Sequence, residues 1–177
     1  MVEWTLEEIF NFQLLQSDPN FANYRFDTEH SQLILLDFGA TVKIPYAIVS
    51  IYQDLLEALL KNDQQAFLAY LNAYHLLPKT VPEHLQQLID DILSVAFKEF
   101  HASEKFSFPE SQIFDFVTPK NMQELSNLTP SHLIPTELLL IQRKLIGMVY
   151  LLRRLRVELP PKRMIEKKIN SPFKNAS

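Results

Sequence analysis

Asp18-Pro19-Asn20-Phe21-Ala22-Asn23, followed fourteen positions after Asn23 by Asp37-Phe38-Gly39, sets the reading of this chain. Asp18 alone has an ordinary explanation as the cap of a turn with Pro19, and Asn23 could simply satisfy loop backbone groups. Asp37 is harder to explain by stability. It closes the apolar run Leu33-Ile34-Leu35-Leu36, and an ionised carboxylate avoids apolar surroundings unless it is paired or bound to a metal. Between the two motifs, Tyr24-Arg25-Phe26 and residues 32–38 read as short strands joined by the polar Asp27-Thr28-Glu29-His30-Ser31. Such a hairpin would return Asp37 to the neighbourhood of Asn23.

The joint spacing is that of a kinase-type catalytic loop, D-x-x-x-x-N followed by D-F-G. There the loop Asp accepts the proton of the attacking hydroxyl, while the Asn and the D-F-G Asp each hold a Mg²⁺ ion. The surrounding residues are not those of an ordinary protein kinase, since Gln16-Ser17 stands where His-Arg is expected. Gln16-Ser17-Asp18-Pro19-Asn20-Phe21-Ala22-Asn23 and Leu35-Leu36-Asp37-Phe38-Gly39-Ala40-Thr41 resemble the UbiB/AarF family of atypical kinases, which support ubiquinone (coenzyme Q) biosynthesis. The family's loop reads close to Q-T-D-P-N-x-x-N-F and its metal motif close to L-L-D-F-G-A-T. The likeness continues through Tyr52, Leu55-Leu56, Ala58 and Asp63, and returns at Leu133-Ile134-Pro135, Arg143-Lys144 and Gly147.

The resemblance implies a mainly α, protein-kinase-like large (C-terminal) lobe with one short β-hairpin carrying the D-F-G motif. It implies Asp18 as catalytic base, Asn23 and Asp37 as Mg²⁺ ligands, and ATP as the nucleotide. Asn20 either bonds within the loop or touches the nucleotide side. The family's small lobe carries a nucleotide loop, a strand lysine with its helix glutamate, and a K-x-G-Q segment, and these 177 residues contain none of them. Gly39 and Gly147 are the only glycines, too few for a glycine-rich phosphate cradle. The expectation is therefore a large lobe alone, with weak or absent Mg-ATP binding by itself. Three functions follow: the C-terminal part of a UbiB-type kinase or ATPase, a site completed in trans by a separately encoded small lobe, or a non-catalytic helical binding module.

Composition is that of a globular chain. Apolar content of 47% with 21% charged residues is not that of a disordered protein, and 177 residues fit a single domain that can bury roughly 70% of its unfolded surface. We divide it into residues 1–45, with the catalytic loop, hairpin and D-F-G; a helical part, 46–169; and a polar tail, 170–177. Cysteine is absent, which rules out disulfides and thiolate chemistry. The five histidines show no metal-ligand spacing. The N-terminus is acidic rather than basic-then-apolar, so no signal peptide is expected. The apolar stretch 138–152 is broken by Gln142-Arg143-Lys144, against a membrane span.

The net charge of -4 conceals an asymmetry, with residues 143–177 at +8 and residues 1–142 at -12. A solvated basic helix face accounts for this; so does attraction to an anionic membrane surface or an acidic partner. Nucleic acid is not expected, because no aromatic stacking platform accompanies the basic residues. The expected location is cytoplasmic and peripheral to a membrane.

Elsewhere the pattern is helical. Thr5-Leu6-Glu7-Glu8 and Thr80-Val81-Pro82-Glu83 have the spacing of capping boxes, predicting helices over 5–15 and 80–102. Residues 46–61 carry an apolar face, Asn62-Asp63 should cap a helix over 64–75, and residues 103–118 read as a loop pinned by Phe106, Phe108, Phe114 and Phe116. Further helices are predicted over 119–126, 136–157 and from Pro161. Lys43 reads as a solvated lysine, and Arg143-Lys144 as structural charges.

Overall fold

The computed structural model describes residues 1–18, 20–128 and 134–169, without the side chain of Phe21. The expected polar tail and Leu133 lie outside these residues. Among the described residues the chain is mainly helical, with three small two-stranded sheets.

The chain enters through helix α1 (Val2–Glu7), which runs into a π-helical turn (Glu8–Phe12) and stops at Gln13 in the left-handed region, φ 52°. Thr5 does not cap this helix as its spacing suggested. The helix begins a turn earlier, and the Thr5 N–H donates to the Met1 carbonyl at 2.9 Å. Glu8 is thereby released from a capping role. The helix also ends before residue 15, because Leu14–Gln16 form strand β1.

A short 3₁₀ turn (Phe21–Asn23) leads into β2 (Tyr24–Asp27), paired antiparallel with β3 (Gln32–Leu35). Asp27 closes this hairpin. Its Oδ1 accepts from the backbone of Glu29 at 2.9 Å, and its Oδ2 accepts from the His30 ring at 2.8 Å. These bonds hold its carboxyl below the usual carboxylate range. A second pairing, absent from the sequence expectation, joins β1 to β4 (Thr41–Lys43), with Leu14 opposite Lys43 and Gln16 opposite Thr41. The D-F-G residues are not on the hairpin strand. They form the turn between β3 and β4.

Helix α2 (Tyr46–Leu60) follows Pro45 and buries Ile48, Val49, Ile51, Leu55 and Ala58. Asp63 caps α3 (Gln64–Ala73) by accepting from the Ala66 N–H at 2.8 Å. Helix α4 (Glu83–Ala102) covers its expected length, but it starts at Glu83 after Pro82 with no side-chain cap, so the second capping box also fails to form. The segment read as a loop contains β5 (Phe106–Ser107) and α5 (Ile113–Phe116). Then come α6 (Pro119–Leu128), α7 (Thr136–Arg154), β6 (Glu158–Leu159), which pairs with β5, and α8 (Pro161–Ile169). Among the described residues no helix is long and apolar enough to cross a membrane.

One core cluster matters for the site. Leu6, Ile9 and Phe10 meet Leu15, Ile44, Val49, Leu55, Leu138 and Ile141. Burying each such side chain contributes about 1.5–3 kcal/mol. Leu15 in β1 and Ile44, directly after β4, are each 1% exposed, so the β1–β4 pair is anchored in the core from both sides. The loops that leave it inherit that anchorage.

Candidate functional site

Two loops carry the candidate residues, and each loop is bounded by one strand of both pairs. The first loop runs from the end of β1 to the start of β2 and carries Asp18, Asn20 and Asn23. The second runs from the end of β3 to the start of β4 and carries Asp37. Because β1 pairs with β4 and β2 with β3, the loops are held side by side at both ends. Backbone bonds extend each ladder into the loops: Ser17 N–H donates to Ala40 at 2.9 Å, and Leu36 N–H to Asn23 at 2.8 Å. Ser17 adds its hydroxyl to the same Ala40 carbonyl at 2.8 Å.

Within the first loop Asp18 is the hub. Its Oδ1 accepts from the Asn20 N–H at 3.2 Å and its Oδ2 from the Asn23 side-chain amide at 2.9 Å. Each carboxylate oxygen keeps a further lone pair for a hydroxyl proton. Asn23 is buried, and donating through Nδ2 commits its orientation and leaves its Oδ1 as a potential ligand. The Asn20 side chain is used locally, accepting from the Ala22 N–H at 3.0 Å. Of the two options open for Asn20, the structure displays the bond within the loop.

Asp37 corrects one expectation. It does not close the apolar run inside a core; it is exposed, and its Oδ1 accepts from the Gly39 N–H at 2.7 Å. That turn is tight, since a Cβ on Gly39 would lie 3.1 Å from the same oxygen. The apolar residues before and after Asp37 are exposed as well. Phe38 is 62% exposed and Leu36 50%, with Phe26 and Ile34 beside them on the hairpin. A cavity of about 540 Å³ opens between α1 and this hairpin, lined by Trp4, Glu7, Tyr24, Leu33, Leu35 and Phe38. Burial raises the Tyr24 phenol, reinforced by the Glu8 and Asp18 carboxylates.

The donor set fits a hard divalent cation only in part. Asn23 Oδ1 and Asp37 Oδ2 are oxygen ligands of the kind Mg²⁺ takes, while the ion demands six and shares the rest with water and phosphate. No cluster of three or more carboxylate or imidazole groups able to hold a metal exists among the described residues. The arrangement suits an ion that arrives with nucleotide rather than one caged by protein.

Three further residues shape this site: Lys144, read from sequence as a structural charge and found in an ion pair, and Glu8 and Gln16, for which sequence reasoning gave no role here. Gln16, 2% exposed, reaches from β1 to the second loop, donating through Nε2 to the Asp37 carbonyl at 3.3 Å. Lys144, on the buried face of α7, pairs with Glu8 and donates to the Gln16 carbonyl at 3.0 Å. A signal was present. Lys144 falls on the stripe Leu138, Ile141, Met148, Leu152, where a charge requires a buried counter-charge. Lys43 is exposed, as expected of a solvated lysine, whereas Arg143, read with Lys144 as a structural charge, is exposed as well.

Comparison with known proteins agrees with the loop. Residues 1–71 match the ABC1 atypical kinase-like domain. The atypical kinase COQ8B, mitochondrial, of Danio rerio is 24% identical over 157 residues, which cover 83% of this chain and 23% of that protein. The COQ8B of Rattus norvegicus is 25% identical, covering 80% of this chain and 26% of its own length. The atypical kinase COQ8, mitochondrial, of Schizosaccharomyces pombe is 26% identical, covering 80% and 23%. The chain thus spans about a quarter of the length of the curated relatives it matches.

Proposed function

From its kinship with the COQ8 and UbiB atypical kinases, we propose that this chain supplies the metal-and-base half of a UbiB-type phosphotransferase or ATPase site serving ubiquinone biosynthesis. The observation that carries this is the double clasp. Two strand pairs bring the loops carrying Asp18, Asn23 and Asp37 side by side, and the order of these residues in the sequence is that of a kinase catalytic loop followed by D-F-G. In this reading the segments before α2 and the helices behind them form a kinase-like large lobe.

Asp18 takes the proton of the attacking hydroxyl, oriented for that task by Asn23 Nδ2 and Asn20 N. Asn23 Oδ1 and Asp37 Oδ2 hold Mg²⁺, which supplies charge neutralisation on the phosphates when Mg-ATP is bound. The groups that cover the phosphates come from a lobe outside these 177 residues, in the same polypeptide or a separate one. The exposed Trp4, Leu33 and Phe38, which line one cavity, give such a lobe an apolar surface to cover, since contiguous exposed apolar patches mark interaction sites.

Phosphoryl transfer rests on positioning and preorganised charge, and each missing donor removes a factor of roughly 10²–10³. The chain alone is therefore inactive or weakly active. The test is a Mg-ATP titration followed by thermal shift, with and without a UbiB-type small lobe added in trans. We expect no stabilisation of the chain alone, and stabilisation abolished by Asp37→Ala in the reconstituted pair. Stabilisation of the isolated chain that depends on Asp37 would contradict the incomplete-site reading.

A second reading is a non-catalytic binding module using the basic end of the chain. It is favoured by Arg153, Arg154, Arg156 and Arg163, all exposed near the α7–α8 junction, which suit an anionic membrane surface or an acidic partner. Reconstituted, Asp18-dependent ATP turnover would exclude it.

A further inference from the structure

Glu8 and Lys144 lie 136 residues apart in sequence, and their paired side chains are only 4% and 5% exposed. A buried lysine keeps its charge only if counter-charge and acceptors replace its water. The groups that do so here all belong to the segment entering the first loop. Lys144 Nζ donates to the Glu8 carboxylate and to the Gln16 carbonyl at 3.0 Å, while Glu8 Oε1 accepts from the Gln16 N–H at 3.3 Å. The peptide units on both sides of Gln16 are thus fixed, directly before Ser17 and Asp18. The Gln16 side chain then carries the link across to the Asp37 carbonyl at 3.3 Å. As a stabiliser this pair has little to recommend it, because apolar groups of the same volume generally serve a core at least as well. Its neighbours on α7, Ile141 and Met148, show that the same face accepts apolar side chains.

We infer that Lys144 is a positioning residue: acting through Glu8 and Gln16, it sets the separation and register of the Asp18 loop and the Asp37 turn. It touches none of the reacting groups. The inference rests on the reading of Asp18, Asn23 and Asp37 as one site, and it places control of that site's geometry on α7, outside both loops.

The double variant Glu8→Leu/Lys144→Met, in the whole chain, removes both charges together and is expected to fold. Two NMR readouts are taken. One is amide hydrogen exchange at Ser17 and Gly39, whose own bonds the variant leaves intact. The other is the Mn²⁺ concentration that half-broadens the Asn23 and Gly39 amides. We expect exchange at both amides to accelerate about tenfold while core amides of α4 keep their protection, and the half-broadening concentration to rise about fivefold or more. Ile89→Val, a core change on α4, serves as control; it lowers the melting temperature without moving either readout.

Gln16→Leu is the second variant. It cuts only the link to Asp37 and removes Gln16 Oε1, a buried atom without a partner, so its fold is secure if the double variant unfolds. It should accelerate exchange at Gly39 alone. Wild-type exchange at Ser17 and Gly39 in the double variant, or at Gly39 in Gln16→Leu, overturns the positioning role. So does Mn²⁺ broadening unchanged from wild type. If the wild-type chain shows no Mn²⁺ broadening at all, the ion is held only together with nucleotide, and the positioning of the two loops stands or falls on exchange.

Discussion

The Asn23 side-chain amide donates to Asp18 Oδ2 at 2.9 Å, so the proposed metal ligand and the proposed base orient one another. Replacing Asn23 with aspartate turns this hydrogen bond into a contact between two carboxylates. One of the pair must then titrate above its ordinary value, since like charges at that distance resist joint ionisation. A raised carboxyl pKa in the folded state removes stability as pH rises through it. Asn23→Asp should therefore be about 1–2 kcal/mol less stable than wild type at pH 7 and approach wild type near pH 4. Urea denaturation at the two pH values measures the difference; an equal deficit at both would show that the two side chains are not coupled.

Asp37 offers the opposite contrast, because it is exposed and its side chain accepts from the Gly39 N–H. Asparagine retains an oxygen for that bond. Asp37→Asn should change stability by less than about 1 kcal/mol, while the broadening of the Gly39 amide by Mn²⁺ is lost with the carboxylate charge. A melting curve and a metal titration on the same sample separate the two effects. A large loss of stability would mean that Asp37 is a structural residue.

Helix caps provide a test that is independent of function. Asp63 accepts from the Ala66 N–H at 2.8 Å at the start of α3, whereas α4 begins at Glu83 with no side-chain cap. Asp63→Ala should cost about 1 kcal/mol. Thr80→Ala should cost no more than a few tenths, although both positions carry cap-forming residues. Equal losses would indicate that Thr80 supports the fold in another way.

What was legible in the sequence, and what was not, divides along range. The Asp18–Asn23 spacing, the hairpin strands and the helices expected over residues 46–61 and 80–102 are local patterns, and the structure places elements there, the second helix starting at Glu83. The β1–β4 pair was hidden because three-residue strands carry almost no periodic signal, and Leu14-Leu15 continues the apolar spacing of the helix before it. Thr5 and Glu8 satisfied a capping motif, which obscured Glu8 as the partner of a lysine 136 residues away. The failure of both capping boxes has one physical cause. Each helix starts at a position other than the motif threonine, α1 earlier and α4 later. The burial of Asp37 was inferred from the run preceding it, but that run is itself largely exposed, Leu33, Ile34 and Leu36 included. An apolar stretch signals that a surface will be covered. It does not say that the covering surface lies within the same fold.

The packing of α3 against α2 yields a prediction with a defined pH window. Tyr74, just past the end of α3, donates its hydroxyl to the Asp54 carboxylate on α2, and that bond, with a smaller part from burial, pushes its phenol up to about 12. A folded-state pKa above the ordinary tyrosine value near 10 means that the protonated phenol stabilises the fold. That contribution is complete below pH 10 and is lost as pH rises through about 12. Tyr74→Phe should therefore lower the melting temperature by about 2–4 °C at pH 7–9, the equivalent of roughly 1 kcal/mol for one hydrogen bond that is only partly buried. Above pH 10 the gap between variant and wild type should narrow, because the wild-type phenol ionises beside a carboxylate and the bond becomes a repulsion. Asp54→Asn removes the charge and keeps an acceptor, so it should retain most of the stability at pH 8 and shift the narrowing to lower pH. A gap between Tyr74→Phe and wild type that stays constant from pH 8 to 11.5 would show that the Tyr74 hydroxyl contributes by packing alone.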